Sequence, residues 1–150
     1  MDINPKYIEQ TRLRYGARIP GLQLYVADIQ TAVSLFEPVD LIYAALLFEY
    51  VDVSLTMNAL WRHCNSNGIL AAVSQLPHET MNEVSPSPYT SLSRLKSAMR
   101  LVPPEELRQR AEQAGFDPEQ SSMLLSPSGK RFSVDVFRRR ARAAQWSTSI

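Results

Sequence analysis

The chain has 150 residues, 16 Lys and Arg against 15 Asp and Glu, and 45% hydrophobic content, which suits one soluble globular domain with a core of its own. The near-neutral balance gives no general drive towards nucleic acid or an acidic membrane surface, and no apolar run approaches the ~18 residues of a membrane span. The single cysteine, Cys64, excludes an intramolecular disulfide and fits a reducing, cytoplasmic setting.

Charge is distributed unevenly. Residues 1–85 carry 5 basic and 9 acidic side chains (−4), and residues 86–150 carry 11 and 6 (+5). The two halves can attract one another, and the basic end could also take an anionic partner. Met1-Asp2-Ile3-Asn4 has neither a basic patch nor an apolar core, so it does not read as a secretory signal.

Taken in chain order, Asn4 and Pro5 form a cap followed by a first-turn proline, and Tyr7, Ile8, Thr11, Leu13 and Tyr15 recur at roughly helical spacing before Gly16. The spacing predicts a helix over 5–15. Leu22–Ala27 reads as a strand ended by Asp28, and a loop or short helix at 31–36 leads to Pro38. Val39–Asp52 (VDLIYAALLFEYVD) is the centre of the chain. Its unalternating apolar run suits a strand buried on both faces, with small residues at the carboxyl end, where open α/β sheets bind ligands. The same run also suits the middle of a buried helix, and periodicity does not separate the two.

Asp52 or Ser54 caps a predicted helix to about Asn65, with Leu55, Leu60 and Trp61 facing inward. Asn65-Ser66-Asn67-Gly68 is a turn cluster, and Ile69–Ser74 is a second buried strand. Residues 76–102 form a long connection, broken by Pro77, Pro86 and Pro88, with a helix expected over 89–99. Pro103-Pro104-Glu105-Glu106 opens a helix that Gly115 closes. Ser121–Leu125 and Arg131–Arg138 then form a hairpin around Ser126–Lys130. The tail from residue 140 is basic and is expected to fray. The expected architecture is one α/β domain over 1–139: a Rossmann-like, mostly parallel sheet with helices on both faces and a C-terminal antiparallel hairpin.

Four stretches carry a resemblance to a known family: Asp2-Ile3-Asn4-Pro5, Val26-Ala27-Asp28-Ile29, Val39–Val51, and Asn67-Gly68-Ile69-Leu70-Ala71. The helix ending in Ala114-Gly115-Phe116 and the hairpin after it continue the pattern. In this order and spacing the chain resembles the class I S-adenosylmethionine-dependent methyltransferases. The resemblance implies S-adenosylmethionine as cofactor and an unidentified methyl acceptor. Asp2 would accept hydrogen bonds from the ribose hydroxyls, and Ile3 would pack on adenine. Asp28 would accept from the adenine amino group, and Ile29 would offer its N–H. Ala44, Ala45 and Leu46 would line the methionine end. Glu49, Tyr50 and Asp52 are the candidate substrate contacts, and His78, in the long connection, is a lesser one. No catalytic residue is assigned, because displacement at an activated sulfonium relies on alignment and exclusion of water, and no metal ligand is assigned, because His63 and Cys64, adjacent in a predicted helix, do not share a face well.

The sequence departs from the family at its strongest motif. Its five glycines, Gly16, Gly21, Gly68, Gly115 and Gly129, are too scattered to form the G-x-G-x-G loop, and the strand and helix around that loop have no counterpart. The family's strand order, 3-2-1-4-5-7-6, puts the absent strand in the middle of the sheet. The expectation is therefore a fragment, incomplete at its N-terminal side, whose exposed sheet edges need a rearrangement, a partner chain or a homodimer contact. The alternatives are a nicotinamide-dependent reductase, disfavoured because Tyr89 lacks a lysine four residues on, and a non-catalytic methyltransferase-like interaction module.

Overall fold

A computed structural model describes residues 1–77 and 99–141. Its elements are α1 (Pro5–Tyr15), β1 (Val39–Ala45), a 3-10 turn (Phe48–Tyr50), α2 (Val53–His63), β2 (Cys64–Gln75), α3 (Pro104–Ala114), β3 (Phe116–Leu125) and β4 (Arg131–Arg139). The four strands form one mixed sheet in the order β1-β2-β4-β3, parallel between β1 and β2 and antiparallel elsewhere. His78, Arg142 and the helix expected over 89–99, apart from its last residue, lie outside the described residues; Met99 is not helical.

Local chemistry sets the element ends. Asn4 Oδ1 accepts the Lys6 N–H at 3.0 Å and caps α1. Asp52, not Ser54, caps α2, accepting the Leu55 N–H at 2.8 Å. Pro104 occupies the first turn of α3 with Glu105 and Glu106, which favours the positive helix end. Gly115 ends α3 with φ +103°, and a Cβ there would lie 2.7 Å from Trp61 Nε1. Both the backbone angle and the close indole require glycine. The β3–β4 turn is closed by Ser126, whose N–H reaches Lys130 O at 2.8 Å and whose Oγ accepts the Lys130 N–H at 3.0 Å.

The core lies between one face of the sheet and the helices α2 and α3. Ala44, Leu70, Ala72 and Phe137 point from the sheet towards Met57, Ala59, Leu60, Leu107 and Ala111, with Phe48, Val102 and Phe116 filling the ends. Within α2 the buried face is Val53, Thr56, Met57, Ala59, Leu60 and His63. Leu55 is exposed rather than inward, because at 100° per residue it falls off this stripe, while Trp61 sits half-buried at its margin.

Three expectations need correction. Leu22–Ala27 does not form a strand: only Val26 pairs, in a single parallel bridge to Asp2. Among the described residues Asp2 is its one strand partner, and an extended segment without a longer partner has no ladder. The central strand ends at Ala45 and is not buried on both faces. Leu41 is 63% exposed and Tyr43 69% exposed on the face away from α2, and only Ala44 is fully buried. The turn cluster 65–68 does not precede β2 but interrupts it. Val39 pairs with Cys64 and Leu41 with Ile69, so the residues between are looped out, with Asn67 at φ +64°.

The basic C-terminal stretch is neutralised locally. Arg138 Nη2 pairs with Glu119 Oε2 at 3.0 Å, and Arg140 Nε with Asp117 Oδ1 at 2.6 Å, both acids belonging to β3. The Arg139 guanidinium lies 3.8 Å from the Trp61 ring centroid and also donates to Cys64 O.

Candidate functional site at the carboxyl ends of the strands

Asp2 belongs to the first piece of the site. Its N–H reaches Tyr25 O and its carbonyl accepts the Ala27 N–H, both at 3.1 Å, so two main-chain bonds lock it beside Val26. Its Oδ1 accepts the Asn4 N–H at 2.7 Å, turning the chain into α1. The other oxygen, Oδ2, has no partner among the described residues, and the side chain is half-buried. Ile3, beside it, is 69% exposed. A carboxylate with one oxygen fixed and one open, flanked by an exposed aliphatic side chain, can accept from adjacent hydroxyls and shelter an apolar ring edge.

Asp28 follows one residue after Ala27. Its Oδ1 accepts the Gln30 N–H at 2.9 Å, and the Gln30 Nε2 lies 3.3 Å and 3.4 Å from its two oxygens. The other end of that amide, Gln30 Oε1, accepts the Asp52 N–H at 2.9 Å. Gln30 thus ties the Asp28 turn to the start of α2. Ile29 is buried in the core and anchors the turn from below. A carboxylate offers about four lone-pair directions, so Asp28 keeps capacity for one further donor.

The third piece is the end of β1. Ala44 is buried, Ala45 and Leu46 are exposed, and Leu46 takes φ +53° while its N–H bonds Val73 O at 2.8 Å. A branched side chain at positive φ is strained, and such strain is held only where the surroundings fix it. Here Leu47 and Phe48, packed into the core on the far side of the bend, hold it.

Glu49 is the fixed point behind this bend. Its carboxyl is 1% exposed, Oε1 accepts the Gln75 N–H at 2.6 Å, and its main-chain carbonyl accepts the Arg100 N–H at 2.8 Å. One residue therefore joins the turn after β1, the end of β2 and the chain returning towards α3. Burial raises its pKa above the ordinary value of 4.5, partly offset by the bond from Gln75. Oε2 is buried without a partner among the described residues. Tyr50 lies at the surface, and its phenol is also shifted upward, first by burial and then by the charge of Glu49.

The structure thus brings Asp2, Ile3, Asp28, Ile29 and Ala44–Leu46 to strand ends or the turns after them. It commits the Glu49 side chain to the interior, where it faces no acceptor. Sequence reasoning missed Gln30, which bridges Asp28 to Asp52. Its place directly after the Asp28-Ile29 pair was the available signal. His63 is a core group: Phe36 packs on its ring at 4.7 Å, and its Nδ1 sits 2.9 Å from Ala59 O. A cavity of about 250 Å³, lined by Arg108, Pro118–Ser121, Asp135 and Phe137, lies by the β3–β4 hairpin and shares no residue with these strand ends.

No family model and no curated protein matches this sequence. Solved structures do. The N-methyltransferase NodS from Bradyrhizobium japonicum in complex with S-adenosyl-L-homocysteine superposes with a TM-score of 0.70 at 15% identity, over 93% of this chain and 65% of NodS. The trans-methyltransferase CalH, also in complex with S-adenosyl-L-homocysteine, gives 0.69 at 17% identity, over 92% of this chain and 41% of CalH. The [4+2]-cyclase SpnF gives 0.63 at 11% identity, over 89% and 60%. The chain therefore spans just under two thirds of the length of NodS. With this architecture and these superpositions, the chain has the Rossmann-like α/β fold of the class I S-adenosylmethionine-dependent methyltransferases.

Proposed function

We propose that this chain is the C-terminal part of an S-adenosylmethionine-dependent methyltransferase domain and supplies the adenosine side of the cofactor site. The observation that carries this reading is the half-satisfied Asp2 carboxylate, locked by main-chain bonds at the end of one strand piece, with the Asp28-Ile29 turn following its neighbour. Asp2 Oδ2 is the acceptor for the ribose hydroxyls, Ile3 covers adenine, and Asp28 accepts the adenine amino group beside Gln30. The exposed bend at Ala45-Leu46 faces the methionine end. When bound, the cofactor supplies an electrophilic methyl group. The chain's own part is to orient it and to keep water away. The residues present fit the adenosine half. The glycine loop for the methionine half has no counterpart in the sequence.

The methyl acceptor is unassigned, and Tyr50 is the surface group nearest in sequence to the bend that could orient it. The buried, free thiol of Cys64 supports a reducing, cytoplasmic setting. No helix among the described residues is long and apolar enough to cross a membrane. A second reading, a non-catalytic module completed by a partner chain or a second copy, is favoured by the missing loop. The superposition on a cyclase does not separate the two readings, because the same fold serves more than one kind of chemistry.

Calorimetric titration with S-adenosylhomocysteine tests the first reading. Weak, saturable binding that Asp2→Ala abolishes is expected, since removing a carboxylate that accepts from ligand hydroxyls costs about 1.5–3 kcal/mol. No heat of binding, or binding unchanged in Asp2→Ala, would favour the second.

A further inference from the structure

The cavity beside the β3–β4 hairpin is built around a bulge. Pro118 pairs with Phe137 and Gln120 with Val136, so Glu119 is an extra residue in β3. A bulge breaks the ladder locally and re-aims the side chains around it. Pro118 and Ser121 of β3, Asp135 and Phe137 of β4 and Arg108 of α3 bound the gap, which holds about 250 Å³. That is just under the ~300 Å³ at which small-molecule sites begin, so it suits a molecule of amino-acid size.

The polar groups of this cavity are not satisfied by one another. Asp135 is 3% exposed, and its Oδ1 accepts the Ser121 hydroxyl at 2.6 Å. Its Oδ2 is buried with no partner among the described residues. Native structures leave few buried acceptors in that state, because the group has lost water and gained no donor. The Arg108 guanidinium, on the exposed side of α3, likewise forms no ion pair or hydrogen bond among the described residues. Glu119, the other charge on the wall, is already held by Arg138. Phe137 and Pro118 supply the apolar part of the lining.

We propose that this cavity binds a small zwitterion of the amino-acid class, with Asp135 and Ser121 taking its ammonium group and Arg108 its carboxylate. The half-satisfied carboxylate needs a donor, and a charged donor makes the stronger bond to it. Ser121 commits its one hydroxyl proton to Asp135, so its oxygen is left as a second acceptor. A cation alone would meet the uncompensated charge of Arg108. An anion alone would suit the arginine fork but would leave Oδ2 without a donor and face its charge. A ligand with both charges a few bonds apart, and a short aliphatic part against Phe137 and Pro118, satisfies all four groups. This inference stands apart from the methyltransferase reading, since the cavity shares no residue with the strand ends.

Amide NMR titration of the isotope-labelled protein with L-valine, isobutylammonium and isovalerate tests it. The last two are valine without its carboxylate and valine without its ammonium group. Expected are saturable shifts at Arg108, Glu119–Ser121 and Asp135 with L-valine, and binding weaker by on the order of 10-fold or more for each single-charge analogue. Asp135→Asn keeps an acceptor for Ser121 and should weaken L-valine by a similar factor without weakening isovalerate. Arg108→Gln should weaken L-valine without weakening isobutylammonium, and it carries the test alone if the Asp135 variant fails to fold. No saturable shift with L-valine, or shifts centred on Asp2–Asn4 instead, overturns the proposal. So does isobutylammonium binding as tightly as L-valine, or L-valine binding unchanged in Arg108→Gln. Tighter L-valine binding in Arg108→Gln also overturns it, because Arg108 itself would then be the partner that closes onto Asp135.

Discussion

Glu49→Gln separates shape from charge at the bend behind the candidate site. The substitution keeps side-chain volume and an oxygen for the Gln75 N–H, now 2.6 Å from Glu49 Oε1. It exchanges the unpartnered Oε2 for an amide with two donors. At low pH the native carboxyl is neutral, and the glutamine adds buried donors without acceptors, so the variant should be less stable by about 1–2 kcal/mol. The carboxyl has a folded pKa raised above its unfolded value near 4.5, so the folded state holds a proton that the unfolded state releases. Native stability attributable to this group is therefore full below 4.5 and declines as pH rises from there through the raised folded pKa. Glutamine has no such decline. Urea midpoints of the native and Glu49→Gln proteins between pH 4 and 8 should converge or cross as pH rises, with other carboxylates cancelling in the difference. A gap that widens with pH would mean that the ionised form stabilises the bend, and a gap independent of pH would mean that Glu49 titrates alike in both states. Glu49→Ala strands the Gln75 N–H and opens a cavity, so it should cost about 2–4 kcal/mol at either pH.

Other substitutions probe the frame that carries the site. Gly115→Ala should lose about 2 kcal/mol or more by urea unfolding, from its positive φ and the clash with Trp61. Arg139→Gln removes the cation over Trp61 and should cost about 1–2 kcal/mol, with a change in Trp fluorescence. Asn4→Ala deletes the α1 cap and should lower stability by about 1 kcal/mol, read as earlier loss of helical circular dichroism. Leu107→Ala, at a fully buried contact between α3 and the core, should cost about 2–5 kcal/mol and lower the thermal midpoint.

Elements whose signals are local were legible in the sequence. Asn4-Pro5 fixes the start of α1, Pro104-Glu105-Glu106 and Gly115 bracket α3, and the turn at Ser126–Gly129 sets the hairpin. The alternation in Arg131–Arg138 marked a strand, but its apolar positions Phe132, Val134 and Val136 are only half-buried, and Ser133, Asp135 and Phe137 take the fully buried face. What failed depended on distant partners. Leu22–Ala27 has the composition of a strand, but a strand needs a neighbour, and among the described residues only Asp2 supplies one. Leu41 and Tyr43 read as buried on both sides because apolar character marks what a residue suits, whereas their exposure depends on what lies over them. The turn residues Asn65–Gly68 were recognised, yet their use as a loop-out within β2 depends on the register with β1. In the candidate site, Asp2 and Asp28 were singled out through their family pattern, while Gln30 was not, because its side chain acts as a bridge to Asp52, 22 residues away. Glu49 was read as a candidate substrate contact beside Tyr50, and only the fold turns it inward.

The central claim is that the ends of the strands, and not the cavity by the β3–β4 hairpin, form the cofactor surface. Amide NMR spectra of the isotope-labelled protein, recorded with and without S-adenosylhomocysteine, test it most directly. The account predicts saturable shifts confined to Asp2–Asn4, Asp28–Gln30 and Ala44–Leu47. Shifts centred instead on Arg108, Glu119–Ser121 and Asp135, or none at saturating ligand, would contradict it.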